Sequence, residues 1–103
     1  MTVYAGERTM DGAVVTRDGA PLDPRQDVAS FSRVGLEWGF DGGPARQLAL
    51  ALLCDYLGDA ARAIRLAPLL AEQATARLPN EWSFDDVALG RLVAELDPGG
   101  SRS

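Results

Sequence analysis

The sequence from residue 42 to residue 59, GGPARQLALALLCDYLGD, decides the fold. Pro44 suits the first turn of a helix, because the amide hydrogen that proline lacks would have no partner there. Ala45–Leu57 carries apolar side chains on nearly every side, which is typical of a central helix covered on several faces. Gly58 can take the left-handed conformation that ends a helix. We therefore predict a buried central helix that ends at Leu57.

A second helix is predicted directly after the first. The side chain of Asp59 can accept a hydrogen bond from the free amides at a helix start, so it is expected to cap a helix over Ala60–Leu78. Pro68 lies inside this segment and removes one backbone hydrogen bond, which predicts a kink or a break. Pro79 is expected to end the helix.

A third helix is predicted near the C-terminus, with Ser83 as its N-cap. Asp85 and Asp86 would lie in its first turn, where negative charge is favourable. An apolar stripe then faces the core, formed by Leu89, Leu92, Val93 and Leu96. Residues 97–100 read DPGG and end the helix, and residues 99–103 are expected to form a disordered tail.

The N-terminal part of the chain has the pattern of short strands. The candidate strands are Val3–Ala5, Ala13–Arg17 and Ala20–Leu22, and Asp18-Gly19 is a strong signal for a two-residue hairpin turn. Residues 23–32 are polar and predict a loop, whereas residues 34–40 are compatible with a strand or an ordered loop. We therefore predict one α+β domain over residues 1–98, in which a small antiparallel sheet packs on three helices.

The composition excludes several kinds of chemistry. The 103 residues carry a net charge of −5, all 10 basic residues are arginine, and the chain has no histidine and a single cysteine. It therefore lacks a Ser-His-Asp triad, an imidazole metal ligand and a lysine amine for a Schiff base. We expect a protein that is not an enzyme and holds no metal or cofactor. Because the apolar runs are short and charges occur early, we also predict a cytoplasmic protein without membrane contact.

Glycines surround two aromatic residues and two carboxylates in residues 35–44, directly before the central helix. We call this segment the glycine loop. Glycine allows a close approach of the backbone, and free amides at a helix start can bind anions. One hypothesis is therefore a small-molecule, nucleotide or anion site at residues 39–44, with the candidate residues Glu37, Trp38, Asp41, Arg46 and Gln47. The other interpretation is a structural loop in which Trp38 and Phe40 fill the core beneath the sheet.

The same residues carry a resemblance to a known family. EWGF at 37–40, GGP at 42–44, QLALALL at 47–53, Asp55 and LGD at 57–59 form a motif that resembles a small domain family of bacteria, haloarchaea and mobile elements. Further matching residues are Tyr4, Gly6, Arg8, Val14, Val15, Pro21, Leu22, Leu78, Pro79 and Trp82. The resemblance covers about residues 3–96 and implies no activity, because the function of the family is unknown. Leu36, where an aromatic residue is usual, and a shortened glycine loop before Gln47 depart from the pattern.

Other charged residues have a structural interpretation. Asp55 is predicted to form an ion pair with Arg62 across the junction of the first two helices. Arg62, Arg65 and Arg77 form at most a weak basic face, because no aromatic residues interleave with them. Direct binding of nucleic acid is therefore not expected.

An acidic surface around the third helix is the leading hypothesis for function. Its candidate residues are Glu81, Trp82, Asp85, Asp86 and Glu95. A negative surface can occupy a basic groove that otherwise holds nucleic acid. We therefore predict a non-enzymatic protein-binding module, in one form an anti-CRISPR-like inhibitor of a bacterial defence complex encoded by a phage or mobile element. A homodimer joined through exposed strand edges is a further alternative.

The acidic-surface hypothesis makes a specific prediction. Reversal of Asp85 and Asp86 to arginine is expected to abolish partner binding, because the charge of the surface changes sign. Thermal stability is expected to stay nearly unchanged, because exposed charges contribute little to folding.

Overall fold

A four-stranded antiparallel sheet and three helices form an α+β fold, which confirms the predicted fold class. The structure is a computed structural model that describes residues 1–33 and 35–98, so the predicted tail at 99–103 lies outside the described residues. The strands are β1 (Val3–Thr9), β2 (Gly12–Arg17), β3 (Ala20–Pro21) and β4 (Trp82–Asp85). The helices are α1 (Gly43–Leu57), α2 (Ala60–Gln73) and α3 (Asp86–Leu96).

The first three strands form two consecutive hairpins. β2 pairs with β3 across Asp18-Gly19, where both residues have the positive φ (50° and 85°) that this turn requires. β1 extends beyond the predicted end at Ala5, because Thr9 pairs with Gly12 around a turn at residues 10–11. Gly12, with φ of 116°, follows this turn and starts β2.

The fourth strand comes from the C-terminal half of the chain and completes the sheet in the order β3-β2-β1-β4. β4 pairs antiparallel with β1, and Gly6 lies opposite Trp82. A Cβ atom on Gly6 would overlap the indole of Trp82, so only glycine fits at this position. The same indole packs edge-on against Trp38, with 5.7 Å between the ring centroids. The two tryptophans therefore connect the sheet with the loop that precedes α1.

The start of α3 differs from the prediction. Ser83 lies in β4, so the prediction that it caps a helix is wrong. Asp85 is the cap, and its carboxylate accepts a hydrogen bond from the Ala88 amide at 2.9 Å. Trp82 and Phe84 alternate with Ser83 and Asp85, which is the period-two pattern of a strand.

α1 forms the centre of the core, as predicted. Residues 48–53 have no exposed surface, and the helix ends where Gly58 takes a left-handed conformation. Trp38 is fully buried beside it, which confirms half of the structural interpretation of the glycine loop. The other half is wrong, because Phe40 is 49% exposed. The chain turns at Gly39, with φ of 85°, so the two aromatic side chains do not share a face.

α2 starts as predicted and ends earlier. The Asp59 carboxylate accepts a hydrogen bond from the Arg62 amide at 3.2 Å, which confirms the cap. Pro68 does not break the helix, which continues to Gln73. A short 3-10 turn over Thr75–Arg77 replaces the predicted last helical turn.

The 3-10 turn is held against α1 by a buried hydroxyl. Thr75 is 1% exposed, and its side chain donates a hydrogen bond to the Ala45 carbonyl at 2.7 Å. The Thr75 carbonyl in turn accepts a hydrogen bond from the Gly39 amide at 3.0 Å. Residues 35–40 are therefore an ordered loop without a strand.

Candidate functional site

The two faces of the sheet have different environments. Residues that pair across neighbouring strands share a face, and successive residues along a strand alternate between faces. The inner face carries Tyr4, Val15 and Trp82, which are buried in the core with α1. The outer face carries Val3 and Val14, which are 39% and 40% exposed. The outer face is therefore the side of the sheet that can meet another molecule.

An open groove of about 480 Å³ lies on this outer face. We call it the outer groove, and its lining residues are Ala5, Gly6, Glu7, Val14, Thr16, Glu81, Trp82 and Ser83. The paired residues of β1 and β4 end at Gly6 and Trp82, and Glu7 and Glu81 are the next residues of the two segments. A hydrogen bond from Arg8 to Asn80 joins the two segments beyond this point. Two exposed carboxylates thus line the same groove, and like charges close to each other are unfavourable unless a cation lies nearby.

The chain does not supply that cation within the part that the structure describes. Neither Glu7 nor Glu81 has an arginine within ion-pair distance there. The ion pairs of that part are Arg8–Glu37, Arg17–Asp18, Arg17–Asp55, Arg25–Asp27, Arg46–Asp41, Arg62–Asp97 and Arg65–Asp97. Six of the nine arginines in the part that the structure describes are therefore paired with a carboxylate of this chain, and the outer groove keeps its negative charge.

The predicted acidic surface does not form one continuous patch. Glu81 lies in the outer groove, whereas Trp82 is only 7% exposed and belongs to the core. Asp85 caps α3, and Asp86 is half-buried in the first turn of that helix. Glu95 is exposed about 15 Å further along the helix, at 1.5 Å per residue. Of these five residues, only Glu81 and Trp82 line the outer groove, and the Trp82 indole itself packs in the core against Trp38.

The role of Asp85 as a cap changes the predicted effect of its reversal. Replacing Asp85 by arginine removes a hydrogen bond to the Ala88 amide, which contributes about 1 kcal/mol to stability. Reversal of Asp85 and Asp86 is therefore expected to lower thermal stability, and the expectation of an unchanged melting temperature is corrected.

Gln47, a candidate of the glycine-loop hypothesis, is fully buried. Its side-chain carbonyl accepts hydrogen bonds from the amides of Phe31 (2.7 Å) and Ser32 (3.3 Å). Its amide group donates to the carbonyls of Pro24 (2.7 Å) and Ala29 (3.1 Å). All of its hydrogen-bonding groups are thus used to hold the loop at residues 23–33 on α1.

The other candidates of that hypothesis also have partners within the chain. The guanidinium of Arg8 lies 5.0 Å from the centroid of the Trp38 ring and donates to Glu37 at 3.0 Å. Arg46 and Asp41 are exposed and 3.9 Å apart. The loop thus holds an internal network, and an anion site there stays a prediction that a titration with inorganic phosphate tests.

Asp55 joins α1 to the sheet rather than to α2. It accepts hydrogen bonds from the Tyr4 hydroxyl at 2.6 Å and from Arg17 at 2.7 Å. The predicted pair with Arg62 is wrong, because Arg62 bonds to Asp97 at 3.0 Å. Burial, and then the hydrogen bond to Asp55, raise the pKa of the Tyr4 hydroxyl far above its usual range. The Tyr4 hydroxyl thus stays protonated and keeps donating to Asp55 at any physiological pH.

Residues 1–33 and 35–98 contain no cluster of three or more side chains that could hold a metal ion. No helix in those ranges is long and apolar enough to cross a membrane.

Two residues that line the outer groove, Glu7 and Ser83, were not predicted as site residues from the sequence. Glu7 was missed because the first strand was predicted to end at Ala5, and Ser83 because it was predicted to cap a helix. The alternation of Trp82 and Phe84 with polar residues was the available signal for β4. No local signal placed Glu7 and Glu81 in one groove, because the two residues are far apart in the sequence.

Fold and site together define a small α+β domain with an open, acidic sheet face. The chain belongs to the family of unknown function DUF6166, which it matches over residues 4–95. No curated protein and no solved structure matches the chain. The family match confirms the resemblance to a domain of unknown function. Several residues that carry the resemblance, among them Tyr4, Gly6 and Arg8, serve the contacts of the fold described above.

Proposed function

We propose that the protein is a non-enzymatic protein-binding module that binds a basic segment of its partner in the outer groove. The observation that carries the proposal is the pair Glu7 and Glu81, two exposed carboxylates that line the same groove without a cation from the described part of this chain. An arginine or lysine of a partner would relieve the repulsion between them and form charge-assisted hydrogen bonds.

The distribution of charge supports a cationic partner. The net charge is −5, and the arginines of the described residues are mostly paired within the chain. Paired arginines are poor contacts for phosphate, so the same distribution disfavours direct binding of nucleic acid. A long-range negative field attracts a positive partner and speeds its association.

The test compares two pairs of glutamates with the same change in charge. Tagged wild-type chain first captures its partner from a bacterial lysate that has been treated with nuclease. The double variant Glu7→Gln and Glu81→Gln is expected to reduce recovery of that partner at least about tenfold, because it removes charged hydrogen bonds. The control is Glu72→Gln and Glu95→Gln, which changes the net charge equally on α2 and α3 and is expected to leave recovery unchanged.

The outcomes separate the possible surfaces. Unchanged recovery with the groove variant would contradict the proposed function. A loss with the Glu72 and Glu95 variant alone would move the binding surface to the helices, where the sequence had placed Glu95. A partner that is recovered from an untreated lysate and lost after nuclease treatment would favour the basic face of Arg62, Arg65 and Arg77 instead.

A narrower form of the proposal is an inhibitor of a bacterial defence complex, of the anti-CRISPR kind. Its support is that carboxylates in the outer groove present the same charge as the phosphates of nucleic acid. In this form, an excess of the wild-type protein displaces a labelled nucleic-acid strand from the captured partner, and the Glu7→Gln, Glu81→Gln variant does not. A complex that holds the partner, the strand and this protein together would contradict the narrower form and leave the wider one intact.

A further inference from the structure

The outer groove is bordered by β4, which forms one edge of the sheet. The opposite edge, β3, has two residues, one of which is Pro21 and has no amide hydrogen to donate. β4 has four residues and no proline. Of these two edges, β4 is therefore the one that can accept another strand.

The backbone amide and carbonyl of Ser83 point away from β1, toward the open edge of the sheet. The Thr2 carbonyl accepts a hydrogen bond from the Asp86 amide at 2.9 Å, so these two residues form a hydrogen-bonded position of the pair β1–β4. Along an antiparallel pair, such positions alternate with positions whose backbone groups face the other side. Counting back from Asp86, Phe84 bonds to β1, whereas Ser83 turns its amide and its carbonyl toward the open edge. Ser83 is also exposed, so these groups can be reached.

A second copy of this chain is a poor occupant of the edge. An antiparallel pair of two β4 strands centred on Ser83 would place Glu81 of one copy opposite Asp85 of the other, on both sides of the centre. Like charges that lie directly opposite each other destabilise strand pairing. The acidic residues that border the edge therefore disfavour self-association and favour a basic strand.

We infer that β4 accepts an extended segment of the partner as a fifth strand, with basic residues opposite Glu81 and Asp85 and a small residue opposite Ser83. The inference rests on the proposed function and specifies how the basic segment binds. Residues directly opposite each other share a face, so the two basic side chains lie beside the outer groove. The residues between them lie on the face of Trp82 and Phe84, where apolar side chains fit. The predicted segment therefore reads basic, apolar, small, apolar, basic.

A synthetic peptide tests this inference without any change to the protein. The probe has seven residues, with acetylated and amidated ends, in the order threonine, arginine, valine, threonine, valine, arginine, threonine. Binding is measured by calorimetry at low salt, and by the hydrogen exchange of the Ser83 amide in nuclear magnetic resonance spectra. Saturation with the peptide is expected to slow this exchange at least about tenfold, because the amide gains a hydrogen bond.

Two N-methylated peptides form the matched controls. Methylation of the central threonine amide removes the donor that faces Ser83, and it is expected to weaken binding about tenfold. Methylation of the adjacent valine amide, which faces solvent, is expected to leave the affinity within about twofold.

The outcomes separate this inference from the proposed function. Equal affinity of both methylated peptides, with loss of binding in the Glu7→Gln, Glu81→Gln protein, would overturn strand addition and leave a charge-based groove. No binding of the unmodified peptide and unchanged exchange of Ser83 would also overturn strand addition. The proposed function itself fails only if the groove variant still captures the partner.

Discussion

Gln47 interrupts the apolar sequence of α1, and its partners explain why a polar residue stands there. Its side chain makes four hydrogen bonds to the backbone of the loop that follows β3. A buried amide in an apolar helix is unfavourable unless each polar atom has a partner. The requirement for Gln47 thus arises from the loop, which a helical pattern in the sequence does not reveal.

Replacement of Gln47 by alanine tests this role. The change leaves part-buried backbone groups of Phe31 and Pro24 without partners, so the free energy of unfolding is expected to fall by about 3 kcal/mol. Urea denaturation followed by circular dichroism measures the loss. The control is Gln73→Ala at an exposed position of α2, which is expected to change stability by less than about 0.5 kcal/mol. Similar losses in both variants would contradict the role of Gln47.

At the scale of elements, β4 and α3 meet without a loop, and Asp85 belongs to both. Its backbone is extended, and its carboxylate caps the helix that starts at Asp86. The sequence around Ser83 fits the pattern of a helix start as well as that of a strand. Asp85 and Asp86 suit the acidic first turn of a helix, and the alternation of apolar and polar residues over 82–85 suits a strand. Pairing with β1 decides in favour of the strand.

Two single substitutions distinguish the two possible caps. Asp85→Ala is expected to lower the free energy of unfolding by about 1 kcal/mol, because the Ala88 amide loses its acceptor. Ser83→Ala is expected to change it by less than about 0.5 kcal/mol, since Ser83 is exposed in β4. Thermal denaturation of the two variants measures the difference. A larger loss for Ser83→Ala would contradict the observed helix start.

For the whole molecule, ion pairs link segments that are far apart in the sequence. Asp97 at the end of α3 accepts hydrogen bonds from Arg62 and Arg65 of α2, each at 3.0 Å. The pair Arg8–Glu37 joins the sheet to the loop that precedes α1, and the pair Arg17–Asp55 joins the sheet to α1 itself. The same pairs neutralise much of the positive charge of the arginines, so the outer groove stays negative.

The stability of the molecule in acid depends on Asp97. Arg65, and then Arg62, lower the pKa of the Asp97 carboxyl below its value in the unfolded chain. The unfolded chain therefore binds more protons in acid, and the contribution of Asp97, present above about pH 4, is lost as the pH falls through the lowered pKa. Below about pH 4, the free energy of unfolding of the wild type is expected to fall more steeply than that of Asp97→Asn.

Urea denaturation at several pH values between about 2 and 7 checks this expectation. Arg65→Gln removes the first of the two causes and is expected to give an intermediate slope. Parallel curves for the wild type and Asp97→Asn would contradict the prediction.

Local features of the sequence determined a large part of this fold. The Asp18-Gly19 turn, the buried helix that ends at Leu57 and the cap at Asp59 were predicted correctly. Each depends on the conformation of a few neighbouring residues, so the information lies within one short segment.

The tertiary structure decided what depends on residues far apart in the chain. β4, the hydrogen bonds of Gln47 and the partner of Asp55 exist because distant segments pair or pack. The outer groove is of this kind, since Glu7 and Glu81 line one groove only after β1 pairs with β4. A strand four residues long is not stable alone, so its neighbour determines whether it forms. The sequence determined which residues carry charge, and the tertiary structure determined which of these charges are paired and where the unpaired ones lie.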